Sequence, residues 1–71
     1  MPKLYSSDEI LKVLQTHGFA FVSQNGSHIK YRKPGNPTLT VIVPADRKQI
    51  PSGTFHSILR QSALSKGDFE K

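Results

Sequence analysis

The chain has 71 residues, ten Lys/Arg against five Asp/Glu for a formal charge of +5, and no cysteine. Disulfides, thiolate metal sites and cysteine nucleophiles are excluded together. At this length one domain over residues 1–71 is expected, whose folding buries only about 60% of the surface the unfolded chain exposes. No apolar run approaches the about 20 residues of a membrane span, and the N-terminus turns polar too early for a signal peptide, so a cytoplasmic protein with no membrane contact is expected.

Ser6-Ser7-Asp8-Glu9 reads as a helix start. Ser6 as N-cap and Glu9 three residues on form a capping box, and Tyr5 can staple onto Ile10. Ile10, Leu11, Val13 and Leu14 make an apolar stripe at helical spacing, and Gly18 after His17 suits a left-handed C-terminal residue. The first helix is predicted from Ser7 to His17.

Phe19-Ala20-Phe21-Val22 predicts a short strand buried on at least one face. Asn25-Gly26 predicts a hairpin with a type I′ turn, which needs positive φ at both central positions. From Ser27 to Lys33 the chain alternates, with Ile29 and Tyr31 pointing one way and His28, Lys30 and Arg32 the other. Pro34-Gly35-Asn36-Pro37 is a second turn, Thr38 to Val43 a third strand closed by Pro44, and Ala45 to Ile50 a polar loop. Pro51-Ser52-Gly53-Thr54 opens a second helix capped by Ser52 or Thr54. It buries Phe55, Ile58 and Leu59 and leaves His56 and Arg60 outside. Ser65 with Asp68 predicts a last capped turn that tucks in Phe69. The order α-β-β-β-α predicts an α+β fold of two layers, two helices on one face of a three-stranded antiparallel meander.

The charge is unevenly placed. Gly26 to Arg60 holds Lys30, Arg32, Lys33, Arg47, Lys48 and Arg60 against Asp46 alone, so the whole excess sits there. Concentrated positive charge suits a phosphate backbone or an acidic protein partner. A solvated basic surface has the same composition.

With Ile29 and Tyr31 against the helices, His28, Lys30 and Arg32 line the exposed face, one imidazole in a row with two cations on a regular strand. His17, in the last turn of its helix, suits the helix dipole, and His56 either touches phosphate or stands on a solvated helix face. Two-metal nucleases need clustered carboxylates, yet Asp46 is the only carboxylate in the basic region. No nucleophile-elbow, zincin or phosphate-loop pattern is present. A lone histidine amid cations fits RNA cleavage by the substrate's own 2′-hydroxyl, where the protein need only move a proton and stabilise charge on phosphate. The candidate site is His28 as catalytic residue, with Lys30, Arg32, Lys33, Arg47 and Lys48 as RNA-binding cations and no metal or other cofactor; a solvent-facing polar strand without function has the same pattern.

Several segments together resemble the HicA family, the RNase toxins of HicA–HicB toxin–antitoxin pairs. The capped helix ends in His17-Gly18-Phe19, and Gln24-Asn25-Gly26-Ser27-His28 contains the family's Gly-Ser-His signature. The third strand ends Val41-Ile42-Val43-Pro44. Gly53-Thr54-Phe55 opens a helix like the family's Gly-Thr helix, and Arg60-Gln61-Ser62-Ala63-Leu64-Ser65 resembles its Arg-Gln-Ala-Gly-Leu-Ser ending. The resemblance implies a fold like that of double-stranded-RNA-binding domains. It also implies an mRNA-cleaving activity with His28 catalytic, and a HicB-type antitoxin that occludes it. One position departs from the pattern: many members carry a second histidine two residues after the proline, where this chain has Asp46. A non-catalytic RNA-binding module of the same fold is the alternative. Duplex binders typically place lysines at the start of the last helix, which here reads Pro51-Ser52-Gly53-Thr54-Phe55-His56. A pure protein-interaction domain would have no RNA affinity at all.

Overall fold

Ser6 and Glu9 cap one another. In the computed structural model, which describes residues 4–70, the Glu9 amide donates to Ser6 Oγ at 3.1 Å and the Ser6 amide to Glu9 Oε1 at 2.9 Å. This starts helix α1, Ser7–Thr16, which buries Ile10 and Leu14. Its end is a Schellman closure: the Gly18 amide donates to the Gln15 carbonyl at 3.1 Å and the Phe19 amide to that of Leu14 at 2.9 Å. The reversal needs Gly18 at φ +95°, which a side chain would oppose.

Three antiparallel strands follow in spatial order, β1 (Ala20–Asn25), β2 (His28–Lys33) and β3 (Leu39–Pro44). Helix α2 (Ser52–Ser62) and a single 3₁₀ turn (Lys66–Phe69) complete the α-β-β-β-α order. Both helices contact β3, and the core between the layers gathers Ile10, Leu14, Tyr31, Val41, Val43 and Ile58. A second cluster of rings closes one end: Tyr5 stacks on Phe55 at 5.1 Å between centroids, and Phe69 meets Phe55 edge-on at 5.1 Å. The Ser65–Asp68 capping box that delivers Phe69 is formed as expected.

Four local expectations are corrected. β1 runs on to Asn25, and all six of its residues are exposed, Phe21 by 58%. It is an edge strand away from the helices, and a bulge at Val22 breaks its register with β2. The buried ring of that segment is Phe19, ahead of the strand. The hairpin turn is centred on Gly26 and Ser27, closed by the Asn25–His28 pair, so β2 begins at His28. Of the two central residues only Gly26 has positive φ, at +62°, which is the type II′ pattern with glycine first. The 45–50 loop is not polar throughout, since Ala45 and Ile50 at its two ends are buried. Finally, α2 has Pro51 as N-cap and no side-chain capping bond among the described residues, because Ser52 and Thr54 already lie inside the helix.

Candidate active site

The register assembles the open face of the sheet row by row. Asn25, His28 and Pro44 pair across the three strands at one end, Ser23, Lys30 and Ile42 in the middle, and Ala20, Arg32 and Thr40 at the other. Ile29 and Tyr31 alternate to the helix side, where Tyr31 is buried. His28 and Arg32 are exposed, while Lys30 is half-buried. Two residues along an extended chain separate His28 from Lys30 by about 7 Å. No carboxylate stands on these rows, and the first in the chain after them is Asp46, two residues past Pro44.

Behind the row the strand is braced. The Gln15 side-chain amide on α1 donates to the Tyr31 hydroxyl at 3.0 Å. The outer edge of β3 is closed by Gln61 of α2, whose side-chain oxygen accepts from the Ile42 amide at 3.0 Å. Both bonds are made away from the open face, which they leave unencumbered.

Arg47 and Lys48 enter from the β3–α2 loop. Pro44 is the cross-strand neighbour of His28, and the Ala45 amide extends the ladder by donating to the Ser27 carbonyl at 2.7 Å. Arg47 follows three residues after Pro44, so chain length alone keeps its backbone within about 11 Å of that proline. Asp46, Arg47 and Lys48 are all exposed, and Asp46 is in the left-handed region at φ +56°.

Lys33 is placed elsewhere. It belongs to the face opposite His28, with its ammonium 5.9 Å from the centre of the Phe19 ring. Its Cε lies 3.5 Å from where a side chain on Gly18 would begin. His17 is the half-buried C-cap of α1. His56 lies in the first turns of α2, its ring 6.3 Å from that of Phe55, beside a cavity also lined by Tyr5, Ile50 and Lys66. The structure thus brings His28, Lys30 and Arg32 onto one face and sets Arg47 and Lys48 on a loop leaving its end. Among the described residues no three of His, Asp and Glu gather as metal ligands would.

Two contributors escape a reading of the sequence. Ser7 looks like one more polar residue of a helix start, yet it is buried and bonds the loop 40 positions away. Gln61 looks like a solvated helix residue, yet it caps a strand edge. Neither residue type nor local spacing signals such long-range bonds.

A helix-backed three-stranded sheet, with one histidine in a cationic row on its open face and a basic loop at its edge, defines a small α+β domain. A model of the family described as HicA toxin of bacterial toxin-antitoxin matches residues 7–64, and the chain belongs to that family. Comparison with curated proteins found no match. Family membership places the chain among the toxins of toxin–antitoxin pairs and implies a cognate antitoxin. No helix among the described residues is long and apolar enough to cross a membrane.

Proposed function

We propose that residues 1–71 form one toxin domain, a metal-independent endoribonuclease that cleaves mRNA in the cytoplasm and is held in check by an acidic HicB-type antitoxin. The observation that carries this reading is the row of His28, Lys30 and Arg32 on an open face whose strands bear no carboxylate. Neutral imidazole of His28 takes the proton of a 2′-hydroxyl, whose oxygen then attacks the adjacent phosphorus. The bond from phosphorus to the 5′-oxygen breaks, and water or a neighbouring lysine protonates that leaving oxygen. The products are a 2′,3′-cyclic phosphate and a 5′-hydroxyl end. Lys30 and Arg32, with Arg47 and Lys48 from the loop, bind phosphate oxygens and stabilise the charge that develops on them. Lys33 contributes to the general positive field rather than to this face. An acidic antitoxin is steered to the same surface by the excess charge and occludes His28.

His28→Ala tests the assignment. Loss of a general base slows cleavage by roughly 10²- to 10⁴-fold. The exposed position keeps the change in stability within about 0.5 kcal/mol. Full activity in that variant, 5′-phosphate products, or cutting of a substrate lacking the 2′-hydroxyl at the scission site would each refute it. RNA bound by the unaltered chain but never cut would instead make this a non-catalytic RNA-binding module.

A further inference from the structure

One buried hydroxyl is bonded to the basic loop. Ser7 is 3% exposed at the first position of α1. Its Oγ donates to the Pro44 carbonyl at 2.6 Å and accepts from the Arg47 amide at 2.9 Å. Its own amide, one of the helix-start donors with no partner inside the helix, donates to the Arg47 carbonyl at 2.9 Å. Both backbone polar groups of Arg47 therefore end on a single residue of α1. Between Pro44 and Arg47 the chain must double back, and Asp46 makes the reversal at φ +56°. The Ala45 amide on Ser27 and the Ile50 amide on the Tyr5 carbonyl, each at 2.7 Å, fix the two ends. The backbone is thus tied down while the side chains of Arg47 and Lys48 stay exposed.

We infer that Ser7 is a positioning residue for RNA binding, holding Arg47 and Lys48 in place as a second phosphate-binding arm at the His28 end of the sheet. This rests on the function proposed above. An untethered loop would have to be ordered when RNA binds, at a cost in affinity. The three Ser7 bonds remove that cost in the free protein. Because Ser7 touches neither His28 nor RNA, its effect falls on binding and not on the chemical step.

The test compares the unaltered chain, Ser7→Ala, Arg47→Ala/Lys48→Ala and the triple variant. Each is titrated with a single-stranded RNA carrying 2′-O-methyl groups throughout, which cannot be cut, over a range of salt. Ser7→Ala removes the two Oγ bonds and keeps that of the amide, and it should weaken binding by roughly 3- to 10-fold. It should also lower the salt slope by up to about 0.7 for each phosphate that is no longer neutralised. In the Arg47→Ala/Lys48→Ala background it should have no further effect, since the arm it positions is gone. With cleavable RNA, KM should rise and kcat should hold. Faster hydrogen exchange at the Arg47 amide should report the released loop. If Ser7→Ala does not fold, Ser7→Cys, close in shape with a weak donor, should show the same pattern in smaller measure. A folded Ser7 variant with unaltered affinity and slope, or one whose effect adds in full to that of Arg47→Ala/Lys48→Ala, would overturn this inference alone. An unaltered chain that binds no RNA at low salt would overturn the proposed function with it.

Discussion

The side chain of Gln15 on α1 and the phenol of Tyr31 on β2 are joined by a 3.0 Å hydrogen bond that crosses from the helix layer to the back of the strand carrying His28. Tyr31 is buried, and its neighbours Lys30 and Arg32 face the other way, so the bond braces the strand without entering the site. Tyr31→Phe keeps the ring and its packing. It should cost about 1 kcal/mol in chemical denaturation, the net value of one such bond, while cleavage stays intact. A large loss of activity at unchanged stability would mean that the phenol reaches the substrate.

The two faces of β2 should separate in their salt response. Lys30→Ala and Arg32→Ala should each weaken RNA binding about equally across sequences and reduce the salt slope by about 0.7. Lys33→Ala should leave the slope near its original value, because the Lys33 ammonium lies over Phe19 on the opposite face. Equal slope changes for all three would place RNA on both faces or on neither.

Activity should survive a chelator. Among the described residues there is no group of carboxylates and histidines able to hold a divalent ion, and the proposed chemistry asks for none. Loss of cleavage in EDTA that Mg²⁺ restores would replace this mechanism.

Ala63 ends α2 in the left-handed region at φ +59°, where the HicA ending it resembles has glycine. A Cβ in that conformation costs about 1–2 kcal/mol, partly offset because glycine loses more freedom on folding, about 0.4–1 kcal/mol. Ala63→Gly should therefore raise stability by up to about 1 kcal/mol in thermal or denaturant unfolding. A decrease would show that the methyl group makes a compensating contact.

What was legible in the sequence was local or periodic. The Ser6–Glu9 box, the Gly18 reversal, the alternation of Ile29 and Tyr31 against His28, Lys30 and Arg32, and the Ser65–Asp68 turn each rest on spacings within a few residues, and each is present. Apolar content misled where tertiary placement overrides it: Phe21 and Val22 look like a core strand but lie on the edge beyond the helices. Turn type turned on which residues sit at the centre, a register question settled by the Asn25–His28 pair rather than by the Asn-Gly dipeptide. Charge groups Lys33 with Lys30 and Arg32, whereas the same alternation sets it beside Ile29 and Tyr31, on the face opposite His28. Ser7 and Gln61 act across the fold, on partners 40 and 19 positions away.

His28 lies outside the buried core, exposed at the end of a strand whose pairing is carried by backbone groups. Under the function proposed above, folding and toxicity are separately encoded, and a chain that loses the imidazole should keep the surface proposed for its inhibitor. In a cell expressing both forms, the inactive one should act as a decoy. It would titrate the antitoxin and free intact toxin, so that a loss-of-function allele behaves in mixture as a poison.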